Sequence, residues 1–339
     1  MVATAARRWG TRVVGLAVTG VGLYVVAPTL LTVLDAWPSL GDVRPAWFGL
    51  VAALELASFG CLWLLLRIAL GGGRLVDIAA SQLAGGAAGK VVPGGVAAGG
   101  VVQAAMLVKV GFTARRVGGV LSATGLLSTG VLLALPVLAV PAVLLGPPPA
   151  QELRLGLLLS LVVALVIVVL GLALLHWDGM VRAVGLAAGR VVHLVRRRVQ
   201  PAVVADTLVD ERDQVAAAFA GRWVRALTAA AANRMLDYAT LVAALHAVDA
   251  AVRPSLVLVA YVVSLALGLV PLTPGGLGFV ETGLTTLLVL AGAATDQAVV
   301  GTLLYRLASF WLPIPLGALA WGGWRVARRG SVAPTPQDP

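Results

Sequence analysis

The sequence predicts an all-α polytopic membrane protein. Three observations carry this: the bulk composition, the length of the apolar runs, and the way charge is confined between them. Apolar residues make up 60% of the 339 positions and charged residues only 12%, and mean hydropathy is +0.97. A soluble domain is roughly half apolar and about a quarter charged, so this chain suits lipid better than water. Its apolar runs reach about 20 residues, the length that spans a bilayer. The net charge of +10 sits in short segments between those runs, where arginines anchor helices at the membrane surface. That distribution speaks against nucleic acid as a partner. One cysteine, Cys61, and three scattered histidines, His176, His193 and His246, predict neither a disulfide framework nor a metal or other cofactor site. Cys61 and His246 read as packing residues.

In chain order, Arg7, Arg8 and Arg12 precede an apolar run from Val13 to Leu34, too long for a signal peptide. A second span runs from Trp47 to about Leu70. Leu75 to Val110 is rich in Gly and Ala and is broken at Val92-Pro93-Gly94-Gly95. Val117 to Leu145 is the next span, closed by Pro147-Pro148-Pro149, and Leu153 to Leu175 follows. Residues 178 to 222 are polar and arginine-rich, a surface helix outside the bilayer. Trp223 to Ala247 returns to the membrane. Ser255 to Ala291 is broken at Thr273-Pro274-Gly275-Gly276, and Ala298 to Trp324 is the last span.

Positive residues collect on the cytoplasmic side. Arg7, Arg67, Arg74, Lys109, Arg115, Arg116, the 178–222 linker and Arg325 share one side only if each broken stretch enters and leaves on the same face. The expectation is six full crossings plus two re-entrant hairpins, about eight membrane segments, with both termini cytoplasmic. The hairpins form a repeat. Pro93 and Pro274 are 181 residues apart, and so are Gly111 and Gly292. Half one covers about 47–146 and half two about 223–325, within a membrane domain of 1–329; residues 330–339 read as a disordered tail. The topology makes the repeat inverted, an arrangement of transporters. Pro removes a donor and Gly permits the turn, at Pro93, Gly94, Gly95, Pro274, Gly275 and Gly276. Each second arm then starts inside the membrane with free N–H groups that suit an anion. A pair of packed helix kinks is the simpler alternative.

Val92-Pro93-Gly94-Gly95 with Gln103 and Gly111, Asn233-Arg234-Met235-Leu236-Asp237, and Pro271 through Glu281 followed by Leu304-Tyr305-Arg306 resemble the membrane domain of lysylphosphatidylglycerol synthase, the flippase-like domain. The resemblance covers about residues 10 to 328. It implies movement of a phospholipid or lipid-linked head group, anionic or phosphate-bearing, between leaflets of the cytoplasmic membrane. In bifunctional members an aminoacyl-transferase domain follows; here the chain stops at Pro339, so that chemistry is expected to be absent. The family often carries an arginine where this chain, 181 residues before Arg306, has Gly125.

Ionisable groups inside a membrane face a cavity or a partner. Arg306 suits a lipid phosphate or a structural pair with Glu281 or Asp237. Glu281, about two turns into the second arm, suits a cationic head group, a coupling proton, or that pair. Asn233 and Asp237 share a helix face and are expected to bond the broken backbone. Lys90 either meets phosphate or snorkels; Gln103 bonds within the hairpin; Tyr305 joins the candidate lipid-binding set. Arg115 and Arg116 read as topology anchors. A membrane-embedded transferase acting on a polyprenyl or phospholipid substrate remains an alternative function, as does a non-catalytic envelope scaffold. An oligomer or a cell-envelope enzyme partner also stays open.

Overall fold

The computed structural model describes residues 40–41, 43–92, 95–138, 140, isolated positions between 151 and 169, 177–195, 200–267 and 278–328. The first expected span, most of the Leu153–Leu175 span, the Pro147-Pro148-Pro149 run and the 330–339 tail lie outside the described residues. So do Pro93 and Gly94, and Pro274, Gly275 and Gly276.

Every described element is helical. Helix α1 covers Pro45–Ala69, α2 Leu75–Val91, α3 Gly95–Lys109 and α4 Ala114–Ala134. Helices α5 (Asp178–Val195) and α6 (Pro201–Ala218) follow. Helix α7 is Trp223–His246, α8 Pro254–Leu267, α9 Phe279–Leu290 and α10 Thr295–Arg306. A π-helical turn at Leu307–Trp311 joins α10 to α11, Pro313–Arg328. Among the described residues, three stretches are long and apolar enough to cross a membrane: Pro45–Ala69, Ala114–Leu138 and Thr295–Arg328. At 1.5 Å per residue, the 25 residues of α1 reach about 37 Å, more than a hydrocarbon core of about 30 Å. Gly95–Lys109, Pro254–Leu265 and Phe279–Leu290 are apolar but shorter.

The 181-residue spacing reappears in the helix boundaries. Helices α3 and α9 end at Lys109 and Leu290, and α4 and α10 begin at Ala114 and Thr295. Between them Gly111 and Gly292 adopt left-handed φ of 113° and 105°. Each closes the same helix-ending hydrogen-bond pattern, Phe112 N–H to Leu107 O and Ala293 N–H to Leu288 O. A side chain at either glycine would strain that turn, which is why the motif is visible as sequence.

Helices α2 and α3 pack against each other along glycines. A Cβ at Gly85 would come within 2.8 Å of Gly99 O and of Gln103 Cβ, and one at Gly89 within 3.2 Å of Gly95 O. Small residues let membrane helices approach this closely. Helix α2 also lies along α11, where Gly317 meets Ala87. Arg328 Nη2, at 3.2 Å from Asp77 Oδ1, ties their ends. Helix α1 lies along α7, its counterpart in the other half. Two main apolar cores form among the described residues. Leu65, Ile78, Leu107, Val120 and Phe219 lead one, which also takes in Ala226 and Ala230 of α7; Leu241, Leu256, Tyr261, Leu284 and Leu304 lead the other, which also takes in Val51, Leu132 and Leu135.

The polar 178–222 segment is two helices, α5 and α6, packed together, with α6 also touching α4. Gln200-Pro201 makes the break, since proline starts a helix readily and cannot continue one. Arg115 reaches α6, with Nη2 at 3.3 Å from Asp210 Oδ2. His246 lies exposed at the end of α7 rather than in the packing, and Cys61 is half-buried.

Candidate functional site

Six ionisable side chains converge from both halves. Glu55 comes from α1, Lys90 from the end of α2, Arg234 and Asp237 from α7, Glu281 from α9 and Arg306 from the end of α10. All but Glu281 line one cavity of about 640 Å³. Their formal charges balance, three acids against three bases, which limits the desolvation penalty of holding them in a low-dielectric interior.

Helix α9 begins only at Phe279, after Gly278 at φ 79°. Glu281 therefore sits in the first turn, not two turns along, where the helix dipole favours a carboxylate. Arg306 Nε donates to Glu281 Oε1 at 2.7 Å, and Nη2 lies 2.7 Å from the same oxygen. Nη2 is within ion-pair range but lacks hydrogen-bond geometry, and both it and Glu281 Oε2 have no hydrogen-bond partner. The two residues are only 8% and 9% exposed. Thr285 and Thr302, joined at 3.2 Å, hold α9 to α10 beside the pair. Arg306 also stacks over Phe310, 4.5 Å from the ring centroid.

Lys90 neither reaches a surface nor stays free. Its ammonium donates to the carbonyls of Ser309 and Phe310 at 2.8 and 3.1 Å and lies 5.1 Å from the Phe310 centroid. Those carbonyls belong to the π-helical turn. Pro313 has no N–H to offer Ser309 O four residues back, so the lysine supplies the missing donor from 219 positions away.

Asp237 accepts from two tyrosines, Tyr261 at 2.6 Å and Tyr305 at 3.0 Å. Asn233 donates to Ser58 O at 3.0 Å and Ser58 Oγ at 2.8 Å, and Ser58 donates back to Asn233 O at 3.0 Å. Among the described residues neither Asp237 nor Asn233 bonds a hairpin backbone: Asn233 joins α7 to α1, and Asp237 collects hydroxyls from α8 and α10. Gln103 lines the cavity.

Glu55 is a residue of the cluster that the sequence motifs do not single out. It is 3% exposed and faces Asp237, Thr240 and Lys90, with Oε2 unpartnered. An acid inside a span, on the face that packs the equivalent helix, was the signal for it. Arg234 also lines the cavity and went unsingled in the Asn233–Asp237 motif.

Long apolar helices enclosing a buried, charge-balanced cluster beside a cavity are the features of a polytopic membrane protein. The sequence model of the lysylphosphatidylglycerol synthase TM region matches residues 12–317, and the chain belongs to that family. No curated protein matches the chain. The family is the membrane region of lipid-related proteins, and this chain is a multi-pass member of it.

Proposed function

We propose that this protein moves a phospholipid or lipid-linked head group between the leaflets of the cytoplasmic membrane, and that it is not an enzyme. The observation that carries the reading is the cavity lined by Lys90, Arg234, Asp237 and Arg306 among apolar helices. A polar head group crossing hydrocarbon needs such replacement partners, and the family supports lipid as the cargo. Arg306, paired with Glu281, is the group suited to an anionic or phosphate-bearing head. Lys90, Asn233 and Tyr305 hold that site in shape.

The test is head-group translocation in reconstituted vesicles. E281Q/R306Q removes both charges together and so leaves no unpaired ion to unfold the protein. Translocation by this double variant is expected to fall to the level of empty vesicles; transport at the parent rate would overturn the site.

The same reading includes two re-entrant hairpins of opposite orientation, with both termini in the cytoplasm. The short arms α2, α3, α8 and α9 and the shared 181-residue spacing support it. With Cys61 replaced by alanine, single cysteines at Val92 and Thr273 are expected to react with impermeant reagent from opposite sides. Reaction of both from one side would refute the inversion.

A further inference from the structure

The repeat assigns a counterpart to each member of the Glu281–Arg306 pair. The positions 181 residues earlier are Gly100 and Gly125. Both glycines line the cavity. A Cβ built on either meets no atom within 4 Å, whereas neighbouring glycines of the same hairpin, Gly85 and Gly99, are pressed against backbone. The second half thus holds a buried ion pair, and at the equivalent place the first half holds open space.

That space is bordered by polar atoms that lack partners. Glu55 Oε2, Ser128 Oγ, Arg234 Nε and Ser309 Oγ have no hydrogen-bond partner, and all four residues line this one cavity. Glu55 and Ser128 are 3% and 9% exposed. Buried polar atoms are nearly always satisfied. Four around a single void mark a place where a guest completes the bonding. The orphans are of both kinds. The Arg234 Nε requires an acceptor, and the Glu55 oxygen requires a donor. The surrounding formal charges already cancel, so a guest without net charge disturbs the cluster least.

We infer that the space left by the missing Gly100–Gly125 side chains is the head-group seat, and that it takes a zwitterionic phosphodiester bearing an N–H donor. The phosphate faces Arg306 and Arg234, and the ammonium faces Glu55. This rests on the transport reading above and adds to it the site within the cavity and the chemistry selected. Gly100 and Gly125 act by omission: any side chain there competes with the guest.

The experiment is native mass spectrometry of the purified protein in a mixture of phosphatidylethanolamine, phosphatidylcholine and phosphatidylglycerol, with translocation of each measured in parallel. Phosphatidylethanolamine is zwitterionic with N–H donors, phosphatidylcholine zwitterionic without them, and phosphatidylglycerol anionic. Preferential retention of phosphatidylethanolamine is expected. G100E/G125R restores the absent ion pair, and G125L fills the space without charge, so one variant stays informative should the other fail to fold. Each is expected to weaken that retention by about tenfold or more, the worth of a lost charged hydrogen bond. Retention at the parent level in a folded G100E/G125R or G125L variant would overturn the assignment, as would preference for either other lipid. Translocation without any head-group preference would overturn the seat alone; failure of the parent protein to move or retain any of the three would overturn the transport reading and the seat with it.

Discussion

Arg306→Gln is expected to lower stability by about 3–5 kcal/mol, the cost of leaving a buried carboxylate without its cation. Glu281 in α9 has one described partner, and that partner is Arg306. Removing the guanidinium also strips the face of Phe310. E281Q/R306Q behaves differently, since two amides of similar shape replace two ions and no charge is stranded. Its cost is expected to be well below that of Arg306→Gln alone. Thermal unfolding of the four proteins of this cycle in detergent gives the coupling directly. If the double variant instead loses the sum of the two single losses, the pair is not the unit described here, and Arg306 acts through other contacts.

What the sequence made legible follows from which interactions are local. The 181-residue repeat was readable because Gly111 and Gly292 are each required by a left-handed turn, and such a requirement leaves a residue-level mark. The Glu281–Arg306 pair was readable as one of three options because an unpaired charge in a span is too costly to stand alone. Lys90 was not. Its partners are carbonyls of a π-helical turn in the last membrane segment, and nothing near Lys90 encodes that turn. Pro313 marks the orphaned carbonyl, but only the packing of α2 along α11 brings the lysine to it. The Ser58–Asn233 bonds were hidden for the same reason, with 175 residues between the partners. The glycine-rich composition of Leu75 to Val110 does not say which glycines face backbone and which face empty space.

That last distinction is open to a direct trial with two adjacent residues of α3. A Cβ on Gly99 would run into Gly85 O and stand 3.1 Å from Gly89 Cα and N. All three atoms are backbone, so no rotamer change relieves the clash. Gly99→Val must therefore push α3 off α2. Helix α2 is held on its other side by Gly317 of α11 against Ala87, so the displacement cannot be absorbed there either. Overpacking costs about 1–3 kcal/mol where side chains yield and more where they do not, and the upper end or beyond is expected for Gly99→Val. One residue on, a Cβ at Gly100 meets nothing. Gly100→Val should leave the melting temperature near that of the parent, helped slightly by replacing glycine inside a helix, while intruding on the cavity. Melting temperature and monodispersity of the two variants decide the matter. Equal losses would mean that α2 and α3 are not packed face to face along Gly85 and Gly99. A stable Gly100→Val that no longer retains lipid would locate the guest beside Gly100, about 100° around the helix from Gly99.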